Sequence, residues 1–239
     1  MSMNTIKTRL LASLIPLFTV ICLVGYWFAK DILAYKNQPL AITEATQITV
    51  TPGTSLLKLT QELEQQGIVA ESWKTRFLVK LEPQFGQIKT GLYQMTPGDK
   101  LVDFLNRVRL GQEMAFSVTL IEGKTIKEWL PVLQNLEHMP FEDDVFNRVL
   151  AANGDTSGLP EGKFFPETYH YRVDDDLFSM LQRSYQMMQT HLAQAWAQRD
   201  PDLKLNSPYE LLIIASIIEK ETAQESERNW VSAVFNNRL

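Results

Sequence analysis

ITVTPGTSLLKL (Ile48–Leu59) is a stretch of alternating polarity, a Pro-Gly turn and the opening of an amphipathic helix. The same order returns in YQMTPGDKLVDF (Tyr93–Phe104) and, with Glu-Gly at the turn, in FSVTLIEGKTIKEW (Phe116–Trp129). Period-two alternation predicts a strand, glycine reverses the chain, and apolar residues three and four apart predict a helix. The turn glycines Gly53, Gly98 and Gly123 are 45 and 25 residues apart. Unequal offsets exclude a solenoid of fixed period, so the class read here is α+β, built from a strand–turn–helix unit used three times. Gly67 and Gly111 stand where the first two helices should end.

Toward the N-terminus, Leu10 to Ala29 is a run of 20 residues without a charge. At 1.5 Å per residue it crosses about 30 Å of hydrocarbon. A cleaved signal has a shorter apolar core and a small-residue cleavage site, whereas this run ends in Tyr26-Trp27-Phe28, suited to a membrane interface. An uncleaved single-pass helix over 10–29 is expected, with residues 1–9 as its tail. Lys7 and Arg9 precede it, so the positive-inside rule places the N-terminus in the cytoplasm and the rest across the membrane. Residues 30–47 are polar without a sustained period and read as a linker.

The chain of 239 residues carries 23 Lys and Arg against 28 Asp and Glu, with no basic tract, which excludes an electrostatic footprint for nucleic acid. Its single cysteine, Cys22, closes no intramolecular disulfide, and three scattered histidines form no cluster of metal-ligand spacing. No cofactor motif is present either: there is no phosphate-cradling glycine loop.

Toward the C-terminus, a helix is expected near Glu142–Ala152. TSGLPEGKFFPETYHYR (Thr156–Arg172) follows, too rich in Gly, Pro and aromatics for a regular helix. It reads either as a packed loop or as the wall of a cleft, because aromatic faces stack on sugar rings and loops carry sites. Asp174-Asp175-Asp176 then starts a helix running to Arg199, with Leu177, Met180, Leu181, Ser184, Met188, Leu192 and Trp196 on its inner face. Ser207-Pro208-Tyr209-Glu210 places a capping serine, a first-turn proline and a glutamate three residues after the cap, so another helix begins there.

That last helix continues as LLIIASII (Leu211–Ile218), apolar on every face, which predicts burial all round, and delivers Glu219 at its end. On a helical period Glu219 shares its face with Ala215, Ser216, Thr222 and Ala223, all small, which leaves room above the carboxylate for a bulky substrate. Partial desolvation by Ile217 and Ile218 would suit a general acid. Periodicity alone leaves Glu219 open between that role and a solvated helix end. Glu221 and Glu225 read as solvated, with Lys220 and Arg228 as partners.

ASIIEKETAQESERNWVSAVFNNRL (Ala215–Leu239), LPEGKFFPETYHYR (Leu159–Arg172) and the N-terminal helix together resemble the endolytic murein transglycosylases of the YceG-like family. The resemblance covers essentially the whole chain. It implies a bacterial inner-membrane protein anchored by Leu10–Ala29, with a LysM-like α+β subdomain over 48–135 and a mainly helical catalytic subdomain over 136–239. It implies cleavage of peptidoglycan glycan strands to 1,6-anhydro ends, with Glu219 of the E-K-E-T block as the catalytic residue. Glu161, Glu167, Tyr169 and Thr222 are the expected substrate-binding residues, and cell-wall synthases are further expected partners.

Two departures accompany the resemblance. Glu167 stands where the family's block normally has Asp. Family chains normally continue beyond this point through a polar L-Q-S-D-P-T-V-type segment, so the ending at Leu239 reads as an incomplete catalytic subdomain with apolar surface exposed around Ile213, Ile217 and Val234. The alternative expectation is a membrane-anchored, non-catalytic peptidoglycan-binding or scaffold protein.

Overall fold

The computed structural model describes residues 3–222 and 224–237. The chain divides between Met114 and Ala115 into two compact units.

The first unit contains α1 (Met3–Tyr35), β1 (Thr46–Val50), α2 (Leu56–Gln65), α3 (Thr75–Leu81), β2 (Gly91–Met95) and α4 (Leu101–Leu110). β1 and β2 pair antiparallel with Ile48 opposite Tyr93. Alternation sends Ile48, Val50, Tyr93 and Met95 to one buried face, where they meet Leu56, Leu59 and Leu63 of α2 and Leu101, Phe104, Leu105 and Val108 of α4. Each of these fully buried side chains contributes about 1.5–3 kcal/mol of transfer free energy. Ser55 caps α2 by accepting the Lys58 N–H at 3.2 Å, and Gly111 closes α4 at φ 72°, a left-handed position that glycine takes without a Cβ clash.

Residues 31–47 depart from the linker expected of them. Ile32, Tyr35 and Leu40 are buried in the first core. Tyr35 shares a 3.0 Å hydrogen bond with Thr75, and Lys74 pairs with Asp31 at 2.7 Å. Leu40 N–H donates to Asp99 O and Ala41 N–H to Ile68 O, both at 2.9 Å. Three apolar residues among polar ones make no periodic signal, yet each finds a buried partner once the chain folds back. α1 therefore ends inside a folded unit. Its stretch Leu17–Tyr35 is the one span among the described residues long and apolar enough to cross a membrane by length and composition, and Leu17 to Trp27 are exposed along it.

The second unit contains β3 (Phe116–Thr119), α5 (Ile126–Gln134), α6 (Val145–Ala152), β4 (Thr168–Tyr171), α7 (Leu177–Ala197), α8 (Pro208–Glu221) and α9 (Glu225–Asn236). The third strand–turn–helix unit belongs here, whereas the sequence grouped it with the first two in a subdomain ending at 135. β3 pairs antiparallel with β4, Val118 opposite Tyr169, and Trp129 and Leu133 of α5 are buried with Val145, Val149 and Leu181. Likeness of local units carries no information about which core their apolar faces join. Strand pairing decides it.

Asp176 caps α7, accepting the Ser179 N–H at 2.8 Å. Leu177, Met180, Leu181 and Ser184 are buried as expected, but Met188, Leu192 and Trp196 are only half-buried. α8 is not buried all round, since none of its residues is buried; Ile213 and Ile217 are exposed together with Val234 of α9, the three places where exposed apolar surface was expected, and with Trp230. Ser207 caps α8 by accepting the Glu210 N–H at 3.2 Å. The Glu210 carboxylate reaches back to the Asn206 N–H at 2.7 Å, one residue beyond the reciprocal bond of a capping box.

Candidate active site

A cavity of about 470 Å³ lies within the second unit, walled by the β3–α5 turn, the loop before β4, and one face of α7 and α8. Each wall follows from local sequence. In the turn, Thr125 caps α5 and Glu128 completes the capping box, its carboxylate accepting the Thr125 N–H at 2.8 Å and pairing with Lys124 at 2.8 Å. The Lys124 ammonium, with the Thr125 amide and hydroxyl, pushes the Glu128 carboxyl down to about 2 from an ordinary 4.5. A depressed carboxyl contributes stability that is present above its ordinary value and lost as pH falls through the depressed one. Acidification from 4.5 toward 2 is therefore expected to fray the first turn of α5, read as faster hydrogen exchange at the Thr125 amide relative to amides of α7.

Glu161 bridges the loop to this turn, both carboxylate oxygens accepting the Ile126 N–H at 3.3 and 3.2 Å. Its carbonyl accepts the Tyr209 hydroxyl of α8 at 3.2 Å. Gly162 has φ 73°, and a Cβ placed on it would lie 3.0 Å from Leu212 Cδ2. The loop thus approaches α8 closely only because residue 162 is glycine. Gly162→Ala is expected to cost about 1–2 kcal/mol, from the left-handed backbone and the crowded Leu212, measured as a lowered denaturant midpoint.

Behind the wall, Lys163 pairs with Asp155 and donates to the Ser157 hydroxyl at 2.5 Å, and the Tyr185 hydroxyl of α7 donates to Asp155 at 3.3 Å. Hydrogen bonding from Lys163, then from Ser157, holds the Asp155 carboxyl far below the usual carboxylate range. Phe164 is buried edge-on against Phe146 and Tyr185, with ring centroids 5.0 and 5.9 Å away. The GKFF segment is a rigid wall, tied by ion pair, ring packing and glycine contact.

Glu219 borders the cavity together with Ala215 and Ser216, the small residues expected on its face. Ala223, expected on the same face, lies outside the described residues. The surroundings of Glu219 differ from the desolvated ones expected. Its side chain is about half exposed, 51%, and Oε2 forms an ion pair with Arg228 of α9, 3.0 Å from Nη2. Arg228 thus pairs with Glu219, where the sequence offered it to Glu221 and Glu225.

The other expected site residues separate. Glu161 lines the cavity with Glu219. Glu167 lies on the loop before β4, its carboxylate accepting the Thr168 N–H at 2.9 Å, outside the cavity lining. Tyr169 is buried in β4, its hydroxyl donating to the Phe165 carbonyl at 2.7 Å, and burial raises that hydroxyl's pKa. Thr222 is buried at the α8–α9 corner, where its hydroxyl donates to Glu227 at 2.9 Å and accepts the Gln224 N–H at 3.1 Å. Sequence reasoning did not bring Trp129, Tyr209 or Lys124 to the site, all of which line it. The likeness of EGKTIKEW to the two earlier turns drew attention to architecture rather than to the wall it forms.

The lining combines the carboxylates of Glu122, Glu161 and Glu219 with Lys124, Lys220 and the rings of Trp129, Phe164 and Tyr209. Among the described residues no three of His, Cys, Asp and Glu group as metal ligands. The arrangement suits proton transfer by a carboxylate to a bulky polar substrate seated against aromatic faces.

The chain is similar to the endolytic murein transglycosylase of Streptococcus pneumoniae strain D39, 23% identical over 248 residues that cover 90% of this chain and 44% of that protein. It is similar also to the endolytic murein transglycosylase of Bacillus subtilis, 22% identical over 243 residues covering 90% of this chain and 64% of that one. The chain therefore spans less than half the length of the pneumococcal relative. A putative YceG-like protein from Listeria monocytogenes of known crystal structure matches 82% of this chain and 71% of its own at 18% identity, with a TM-score of 0.38. A model of the YceG-like family matches residues 48–239, which takes in both motif blocks and the whole cavity lining, and the chain belongs to that family.

Proposed function

We propose that this chain cleaves the glycan strands of peptidoglycan as a lytic transglycosylase, with Glu219 as its proton-transfer residue. The observation that carries the reading is the position of Glu219: a carboxylate at the rim of a cavity with small residues around it, in the E-K-E-T block by which the chain resembles the family. The names of the pneumococcal and Bacillus relatives support the substrate class.

In the proposed reaction the protonated Glu219 gives its proton to the oxygen joining C1 of N-acetylmuramic acid to C4 of N-acetylglucosamine, and the C1–O bond breaks. The glucosamine leaves with a free 4-hydroxyl. The 6-hydroxyl oxygen of the same muramic ring bonds to C1 while its proton passes to the Glu219 carboxylate, restoring the acid. No water is consumed, and the product is a 1,6-anhydro end. A hydrolytic glycosidase divides these tasks between two carboxylates. An internal nucleophile needs only one, and its attack is unimolecular, with the rate advantage of a high effective molarity.

Tyr209 is the proposed ring-stacking face, backed by the buried rings of Trp129 and Phe164, and Glu161 a hydroxyl-binding group, while Glu167, Tyr169 and Thr222 act through the loop and corner that they hold. The first unit is proposed as a LysM-like glycan-holding module, supported by its two-stranded sheet packed with helices. α1 is proposed as a single-pass inner-membrane anchor with a cytoplasmic N-terminus, which sets both units in the periplasm beside the substrate, within reach of cell-wall synthases. Mass spectrometry of muropeptides released by the full chain in detergent tests the reading: Glu219-dependent 1,6-anhydro ends support it. Glycan bound and left intact would favour an anchored binding protein instead.

A further inference from the structure

We infer that Arg228 is a positioning residue for Glu219, and that the α8–α9 corner exists in part to bring it there. The inference rests on the transglycosylase reading and adds a second element to the site. Three observations carry it.

The first is the contact itself. Arg228 Nη2 lies 3.0 Å from Glu219 Oε2. A carboxylate on the last turn of a helix has free χ rotations, and at 51% exposure its side chain is not confined by packing. The guanidinium ties one oxygen and leaves Oε1 for proton transfer. Arginine suits the task because its guanidinium is always charged and weakly hydrated, so it can rest half-buried against the carboxylate.

The second is the corner. α8 ends at Glu221, Thr222 follows with extended backbone at φ −143°, and α9 begins at Glu225. Thr222 is buried, and its hydroxyl both accepts the Gln224 N–H and donates to Glu227 of the first turn of α9. The corner therefore fixes where α9 starts and which way it runs. Arg228 follows Glu227 directly, so the direction set at Thr222 decides that the guanidinium folds back onto the preceding helix.

The third is the seating of the guanidinium. The Arg228 side chain is half-buried, and its Nε is enclosed. An arginine serving only solubility extends into water. This one lies along the protein with Nη2 on the carboxylate and its Nε enclosed without a hydrogen-bond partner among the described residues.

The proposal separates binding from chemistry. Arg228 is absent from the cavity lining, so its removal should leave substrate affinity alone and slow the step in which Glu219 must be aimed. Misplacing a catalytic group by about 1 Å costs on the order of a hundredfold in rate. The experiment measures kcat and KM for 1,6-anhydro product formation by the full chain, as wild type, Arg228→Ala and Arg228→Lys, with helix content of each followed by circular dichroism. For Arg228→Ala the expected result is a kcat lowered about a hundredfold with KM within about twofold, and partial recovery on adding millimolar guanidinium. Arg228→Lys should fall between, since a point charge restores the attraction without the weakly hydrated guanidinium. Wild-type kcat in Arg228→Ala, a rise in KM with kcat unchanged, or a loss that neither guanidinium nor lysine relieves would overturn the positioning role while leaving the transglycosylase reading intact. A wild-type chain that releases no anhydro ends would overturn both.

Discussion

Glu219→Gln is expected to lower formation of 1,6-anhydro ends by about a thousandfold or more, with glycan binding and fold unchanged. General acid–base catalysis by one positioned group contributes roughly 10²–10⁴-fold, and here a single group serves both the donation and the later abstraction. Glutamine keeps the shape and an oxygen that can face Arg228, but its amide has no acidic proton to give. Stability should barely move, because the pair it weakens is half exposed and such pairs contribute about 0–1 kcal/mol. The measurement is muropeptide mass spectrometry beside a thermal melt of the same sample. Retained cleavage in a folded variant would remove Glu219 from the mechanism, and loss of cleavage with a collapsed melt would assign it a structural role.

Lys163→Met carries the largest expected effect on stability, roughly 1.5–3 kcal/mol, the range for stranding a largely buried charged group that keeps some of its hydrogen bonds. The Asp155 and Lys163 side chains are only 16% and 11% exposed. Methionine fills the space of the lysine stem and leaves Asp155 with the Ser157 amide and the Tyr185 hydroxyl but no counter-charge. Adding Asp155→Asn should recover much of the loss, since the cost lies in the stranded carboxylate rather than in the missing ammonium. Denaturant unfolding of wild type, the single variant and the double variant checks this, and a single variant as stable as wild type would contradict it. The pH dependence has a definite sign. The Asp155 carboxyl lies far below its ordinary 3.8, so its contribution is complete above that value and is lost only as pH falls toward the depressed one. Wild type should keep this part of its stability in mild acid.

Both experiments probe a wall whose parts differ in how far they can be read from sequence. GKFFP was recognisable as an ordered, aromatic loop, and Gly162 follows a residue already expected at the site. Nothing in the spacing of Asp155, Ser157, Lys163 and Tyr185 marks them as one network, because the four come together only when the loop folds across α7. Tyr209 is a comparable case. Next to Pro208 it reads as an ordinary first-turn residue, yet its hydroxyl ties α8 to the Glu161 carbonyl.

The sequence by itself determined most of the local elements, because strand alternation, helix periodicity, caps and glycine turns are written within a few residues of one another; β4, inside the stretch read as a loop or cleft wall, and α3 were not among them. It determined the apolar N-terminal helix, the helix start at Ser207 and the approach of Glu219 to the end of an apolar segment for the same reason. Only the tertiary structure decided which elements share a core. It paired β3 with β4 and so moved the third repeat into the second unit, and it drew Ile32, Tyr35 and Leu40 out of an expected linker into the first. It decided also that Arg228 meets Glu219. These outcomes depend on contacts between residues far apart in the chain or across a helix corner, where burial and charge pairing select among arrangements that the local pattern leaves equal.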